Sequence, residues 1–137
     1  MTARRALAIL SAVALAALAA CRRDASPADQ YRAFAAAARD GKADDVWAML
    51  SERSRVELDR RAKDVAGKAP PGVLAASGRA MVLGDLASAT PPPTSVVVVR
   101  ESRDAAVVSV ETQAGPAREV SLVREGGVWR VVVPFDK

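Results

Sequence analysis

The sequence predicts an α+β fold, in which three to four helices pack on one face of a four-stranded antiparallel meander sheet behind a signal peptide. Apolar residues recur at helical spacing through residues 26–87, and they alternate with polar residues through residues 95–137. Short connections separate the alternating segments, which favours antiparallel neighbours. Because the helices come first and the strands follow, we expect one small α+β domain spanning residues 26–137.

The first 20 residues are predicted to be a cleaved export signal. Arg4 and Arg5 precede a run from Ala6 to Ala20 in which Ser11 is the only polar residue. A basic start, an apolar centre and small residues before a cleavage point are typical of a secretory signal. The run is shorter than the roughly 20 apolar residues that a comfortable membrane span needs. An uncleaved anchor helix is the alternative.

The single cysteine follows this run directly, in the sequence "LAAC". This segment resembles the lipobox of bacterial lipoprotein signals. The resemblance implies cleavage before Cys21, a diacylglycerol on its thiol, and a lipidated tether over residues 21–25. It also implies a place in the bacterial cell envelope, with the periplasmic face of the outer membrane favoured because Arg22 is not the aspartate that retains some lipoproteins at the inner membrane. An ordinary signal peptide followed by a chance cysteine is the other interpretation.

The first helix of the domain is predicted from Ser26 to about Asp40. Ser26 can cap the helix, Pro27 suits its first position, and Gly41 ends it. The residues predicted to form its buried face are Tyr31, Phe34, Ala35 and Ala38.

The second helix is predicted from a cap at Asp44 to about Ser51. The residues predicted to face inward are Val46, Trp47 and Leu50. Adjacent carboxylates diverge around a helix, so we interpret Asp44 and Asp45 as capping charges that suit the helix dipole, not as a catalytic pair.

A third helix is predicted to begin around Ser54 and to end before the break over residues 67–72. Its outer face is predicted to carry the i,i+4 ion pairs Glu57–Arg61 and Asp59–Lys63. The residues predicted to share its inner face are Leu58, Ala62, Val65 and Ala66. Residues 73–86 fit either a short helix or a helix that leads into a strand near Met81.

Four strands complete the predicted domain, after a polyproline-like spacer over residues 90–95. Their predicted ranges are 95–102, 104–113, 118–125 and 128–135. "AGPA" is predicted to turn the chain before the third strand, and Gly126-Gly127 to turn it before the fourth. The residues predicted to face inward are Ala106, Val108, Val110, Val120, Leu122, Trp129, Val131 and Val133.

Composition excludes several kinds of chemistry. The chain has no histidine and one cysteine, which removes the commonest general base, a cysteine-based zinc site and an intrachain disulfide. Removing Arg4 and Arg5 lowers the formal charge from +4 to +2, and the remaining charges alternate in sign, unlike the clustered cations that bind phosphates. We therefore expect no catalytic residues, no metal, no cofactor and no nucleic acid partner.

Two stretches resemble a known superfamily. "YRAFAAAARDGKADDVWAMLSERSR" resembles the paired opening helices of nuclear transport factor 2-like domains, which have a cystatin-like α+β fold. "VSLVREGGVWRVVVP" resembles the closing hairpin of small lipoproteins in that superfamily. The resemblance implies helices on a curved antiparallel sheet, often with a cone-shaped pocket between them. Its enzymes often use an Asp–His pair, which this chain lacks.

The sequence therefore predicts a non-catalytic envelope lipoprotein, held in the membrane through Cys21, that binds an envelope protein or component. The alternative is a small-molecule carrier or sensor that uses a pocket between helices and sheet. The large rings that either fill the core or line that pocket are Tyr31, Phe34, Trp47 and Trp129. In a core otherwise rich in alanine and valine, such rings are needed to fill space.

Overall fold

The computed structural model describes residues 24–74, 76–82 and 90–135. Its elements are α1 (Pro27–Arg39), α2 (Ala43–Met49), α3 (Glu52–Lys68), β1 (Pro93–Glu101), β2 (Ala105–Thr112), β3 (Gly115–Glu125) and β4 (Val128–Val131). The four strands form one antiparallel sheet in the order β1-β2-β3-β4. This confirms the predicted α+β class, the helices-first order and the meander. The predicted signal peptide and most of the predicted tether lie outside the described residues.

Helix α1 begins and ends as its capping residues predict. The Ser26 hydroxyl oxygen accepts a hydrogen bond from the Asp29 backbone N–H at 3.1 Å. The Ser26 hydroxyl also donates to the Asp29 carboxylate at 2.7 Å, which is the largest cause of the lowered pKa of Asp29. Gly41 follows the helix with a φ of 70°, a left-handed conformation that favours glycine. The helix packs against β1, β2 and β4.

The predicted start of the second helix is wrong. Helix α2 begins at Ala43, after Lys42, and Asp44 is not its cap. The Asp44 carboxylate instead accepts hydrogen bonds from the side chain of Arg79. Val46 is fully buried, whereas Leu50 lies after the helix and reaches the core from the connection to α3. The Asp44 carboxylate, which the local sequence assigns to the start of α2, is therefore bound by a side chain that is distant in the sequence.

The third helix begins two residues before its predicted start around Ser54. Helix α3 is capped by Ser51, whose side-chain oxygen accepts from the Ser54 backbone N–H at 3.2 Å. The Ser51 backbone N–H donates to the Val131 carbonyl at 2.9 Å, and the Ser54 hydroxyl accepts from the Val133 backbone N–H at 3.0 Å. These bonds to the end of the sheet decide which serine becomes the cap.

The outer face of α3 differs from its predicted pairing. Glu57 binds Arg61 at 3.0 Å as predicted, but Asp59 does not pair with Lys63. Its carboxylate accepts from the Gly78 backbone N–H at 2.7 Å. An ideal Cβ at position 78 would lie 2.6 Å from the Asp59 backbone nitrogen, so only glycine fits this contact.

Residues 78–82, for which a strand near Met81 was one expectation, are helical and dock on α3 through Gly78. On the predicted inner face of α3, only Ala62 is fully buried, and Val65 is 45% exposed. The helix covers little of the core because its middle lies beside the 78–82 segment and solvent.

The sheet has one buried face, as the alternation predicts. The inward residues Ala106, Val108 and Val110 of β2 are each at most 3% exposed, and Leu122 of β3 is fully buried. Residues 115–117, expected to turn the chain, instead open β3, and the turn lies at residues 113–114. Gly126 and Gly127 form the predicted turn, with φ values of 59° and 80°.

The last strand is shorter than predicted. β4 ends at Val131, so Val133 lies beyond it and is only half-buried. Strand β1 begins at Pro93, inside the stretch expected to be a spacer. Within the described ranges, no helix is long and apolar enough to cross a membrane.

Candidate functional site

The early end of β4 leaves a pocket beside β3. β4 pairs only with Leu122–Glu125 of β3. In the part of the chain that the structure describes, no strand pairs with residues 115–120 on the side of β3 where β4 lies. α1 lies over the gap and residues 131–134 border it, which leaves a cavity of about 400 Å³. We call this cavity the β3-edge pocket. The side chains that matter most to it are Tyr31, Phe34, Arg118, Val120, Val131 and Val133.

Two rings of α1 form one wall of the β3-edge pocket. Tyr31 and Phe34 are 4% and 3% exposed, and their ring centroids lie 5.9 Å apart. The i,i+3 spacing puts both rings on the same face of the helix. Val120 and Val131 form the opposite wall. The result is a largely apolar cavity of a size typical of small-molecule sites.

One cation stands at the mouth of the pocket. Arg118 is exposed, and it alternates with Val120 along β3, so both point to the face that the helices cover. Its guanidinium forms no ion pair or side-chain hydrogen bond with any residue that the structure describes. The neighbouring Glu119 carboxylate is held 3.1 Å from Arg100 instead. The described lining therefore carries one positive charge that no anion balances.

Two features of its surroundings shift the pKa of the Tyr31 hydroxyl in opposite directions. Burial raises the pKa of Tyr31 above its ordinary value, and the positive charge of Arg118 opposes that rise. The phenol is protonated at neutral pH and can donate a hydrogen bond. The effect of the Arg118 charge on the Tyr31 pKa indicates that both side chains act on the same part of the pocket. An apolar cavity with one donor and one cation can bind and orient a molecule.

The four rings singled out in the sequence are not brought together. Tyr31 and Phe34 line the β3-edge pocket and also belong to the core. Trp129 is 4% exposed and packs in the core, with the Arg124 guanidinium 5.3 Å from its ring centroid. Trp47 is half-buried against the core. Neither tryptophan lines the pocket, and the predicted lipidation site Cys21 lies outside the described residues.

Arg118 was not among the candidate site residues predicted from the sequence. The predicted third strand already began at this residue, with Val120 and Leu122 assigned to its inner face. Continuing the same alternation by one step would have placed Arg118 on that face. The resemblance implied a pocket between helices and sheet, but its position beside β3 had no local signal, because it depends on where β4 stops pairing.

A second depression runs along α3, with a volume of about 770 Å³. It is open, and among the charges that line it Glu57, Arg60 and Arg61 bind one another. Glu57 lies 2.6 Å from Arg60, and hydrogen bonds from Arg60 and then Arg61 lower the pKa of Glu57 to about 2. Glu125 accepts from the Glu52 backbone N–H at 3.1 Å and so serves the start of α3. These groups already have partners, so this groove is the weaker candidate.

Known proteins add no constraint to the pocket. The chain matches no family model, no curated protein and no solved structure. Across residues 24–74, 76–82 and 90–135, no group of three or more His, Cys, Asp and Glu residues could hold a metal ion. The site is therefore defined by its geometry and charge.

Proposed function

We propose that this protein is a lipid-anchored, non-catalytic binding protein of the bacterial cell envelope, and that it holds a small molecule in the β3-edge pocket. The observation that carries the proposal is the cavity of about 400 Å³ with apolar walls and a single cation at its mouth. Ligand sites in proteins typically combine apolar walls with a few polar groups that orient the ligand. The resemblance to nuclear transport factor 2-like domains stays a prediction.

Binding without catalysis is supported by the chemistry of the lining. The chain has no histidine, and Glu119, a carboxylate that lines the pocket, is bound to Arg100. A protonated Tyr31 and a charged arginine can hold a ligand but supply no base near neutral pH. These groups favour a carrier or a sensor over an enzyme.

The start of the described chain supports a defined orientation for an anchored domain. The Asp24 carboxylate lies 3.3 Å from the Arg124 guanidinium, near the β3–β4 turn. Cys21 is three residues earlier, within about 11 Å of extended chain. A lipid on Cys21 would hold this turn close to the bilayer. Arg118 lies six residues from Arg124 along β3, or about 20 Å away, so the pocket mouth would lie well apart from the anchored turn.

A protein partner is a second candidate function, and the uncovered face of the sheet favours it. Val97, Val99 and Val128 are 58%, 48% and 43% exposed. Contiguous apolar patches are typical of surfaces that meet another protein, so Val97 and Val99, close together on β1, carry this candidate, while Val128 lies at the other edge of the sheet. A partner there and a ligand in the pocket are compatible, because they use different sides of the sheet.

Filling the pocket tests the leading proposal. The full chain is purified from membranes of the native host, and small molecules released on denaturation are identified by mass spectrometry. We expect a molecule that is present with the wild type, lost with Val120→Trp, and retained with Val97→Trp, which adds the same ring on the opposite face of the sheet. Thermal unfolding monitors the fold of both variants.

Identical extracts from all three proteins would contradict a ligand in the pocket. The same membrane-extracted preparations give the intact mass of the chain. The mass of a chain that begins at Cys21 and carries a diacylglycerol is expected, and an unmodified cysteine would refute the anchor without affecting the pocket.

A further inference from the structure

We infer that the ligand of the β3-edge pocket is a small amphipathic carboxylate, whose head binds Arg118 and whose apolar tail lies along Tyr31 and Phe34. This inference rests on the proposed function, since it names the class of molecule that the same pocket would take. It follows from the charge at the mouth, the donors around it and the apolar walls behind it.

The charge at the mouth calls for an anion. Arg118 has no anionic partner among the residues that the structure describes, and the nearest carboxylate along β3, Glu119, is engaged by Arg100 at 3.1 Å. Unpaired arginines are ordinary on a protein surface, and Arg103 in the β1–β2 turn is another. Arg118 differs from Arg103 because it borders an apolar cavity. An anionic ligand head would gain the ion pair while its tail leaves water.

The geometry of the donors favours a carboxylate over other anions. A guanidinium offers a planar fork that matches the two oxygens of a carboxylate. One arginine balances one negative charge, whereas a phosphate monoester would bring a second negative charge to a lining whose other charged residue, Glu119, is itself negative. The protonated Tyr31 hydroxyl, on the facing wall, is a further donor, and its pKa responds to the Arg118 charge. Arginine and tyrosine together can satisfy a single carboxylate head.

The walls set the character of the tail. Phe34 and Val131 are each 3% exposed, and Val120 and Val133 complete the lining with aliphatic groups. A cavity of about 400 Å³ admits a short chain or a single ring system, not a full membrane lipid. The ligand is therefore a short apolar acid.

The inference is tested with octanoate and its neutral analogue octan-1-ol. The full chain in lipid nanodiscs is titrated with each probe, and empty nanodiscs give the correction for partition into lipid. We expect octanoate to bind about tenfold or more tightly than octan-1-ol, because a hydrogen bond to a charged group contributes that much to affinity. Arg118→Met should abolish this preference by weakening octanoate binding to about that of octan-1-ol. The matched control Arg103→Met should change neither probe.

Three further outcomes separate the two levels of the proposal. Equal binding of both probes, with no response to Arg118→Met but loss of both in Val120→Trp, would overturn the carboxylate and keep the pocket. Binding of neither probe, or binding that Val120→Trp does not alter, would overturn the carboxylate, and the pocket would then be decided by the extracted molecules alone. If Arg118→Met does not fold, Arg118→Lys decides: it retains the charge without the fork, and an unchanged preference for octanoate would contradict bidentate recognition.

Discussion

The two halves of β3 have different surroundings. Residues 122–125 pair with β4 on one side, and Leu122 and Val123 pair with β2 on the other. Residues 115–120 have β2 on one side and, in the described ranges, no strand on the other. We call residues 122–125, together with β4 and the start of α3, the closed half, and residues 115–120 the open half.

The closed half fixes the fold and the open half offers a site. In the closed half, Leu122 is fully buried, Glu125 serves the start of α3, and the chain after β4 is tied to Ser54. In the open half, Arg118 and Glu119 are exposed, and charges of this kind discourage another strand from pairing with a free edge. One strand therefore provides both a rigid base and an accessible cavity, and changes in its two halves should have separable effects.

The largest expected effect is on stability, from the centre of the closed half. Trp129→Ala removes a ring that is 4% exposed and lies beneath Arg124. Large-to-small changes of this kind cost about 3–5 kcal/mol of unfolding free energy. Chemical denaturation followed by circular dichroism measures the loss.

Val128→Ala is the matched control for Trp129→Ala. Val128 lies next to Trp129 in β4 but is 43% exposed, so its loss should change stability by about 0.5 kcal/mol or less. Equal effects of the two substitutions would show that Trp129 is not part of the core.

A smaller loss is expected from the link between α3 and the end of the sheet. Ser54→Ala removes the oxygen that accepts the Val133 backbone N–H at 3.0 Å and leaves this partly buried donor without its partner. The cost is about 1–3 kcal/mol. Ser121→Ala, an exposed serine of β3, is the control and should cost about 0.5 kcal/mol or less. If Ser54→Ala were as mild as its control, the link would not stabilise the closed half.

Local chemistry made much of this fold predictable. α1 was placed correctly because its cap, its proline and its terminal glycine act within the helix itself. The buried face of β2 followed from alternation, and the Gly126–Gly127 turn from the need for positive φ. Each of these features depends on residues close together in the chain.

The errors arose where distant contacts choose between local options. Ser51 and Ser54 are both acceptable caps, and bonds to Val131 and Val133 select the first. The sequence "AGPA" fits a turn, but pairing with β2 draws Gly115 into β3. A pocket between helices and sheet was one expectation, but its position at the edge of β3 was unpredictable for the same reason, since the length of β4 is set by its pairing. The sequence singled out the rings of Tyr31 and Phe34. Their place beside the pocket depends on residues 115–120 of β3, which have no described strand on the side where β4 lies.

The smallest expected effect is a change in a single pKa in the open half. Tyr31 is the only tyrosine of the chain, so phenolate absorbance reports on it alone. Burial raises its pKa above the ordinary value and the Arg118 charge lowers it. Removing the charge with Arg118→Met should therefore raise the Tyr31 pKa further. The matched variant Arg103→Met, which removes an equal charge from the β1–β2 turn, should leave it where it is.

This titration also tests the contrast between the two halves. Salt screens charges that face solvent, so added salt should reduce the difference between wild type and Arg118→Met, while the contribution of burial persists. Far-UV circular dichroism at each pH establishes that the chain is still folded, because unfolding would return Tyr31 to its ordinary pKa. If Arg118→Met left the Tyr31 pKa unchanged, the cation and the phenol would not interact. The open half would then hold two unconnected groups, and a carboxylate bound by both would lose its basis, whereas the apolar cavity would remain.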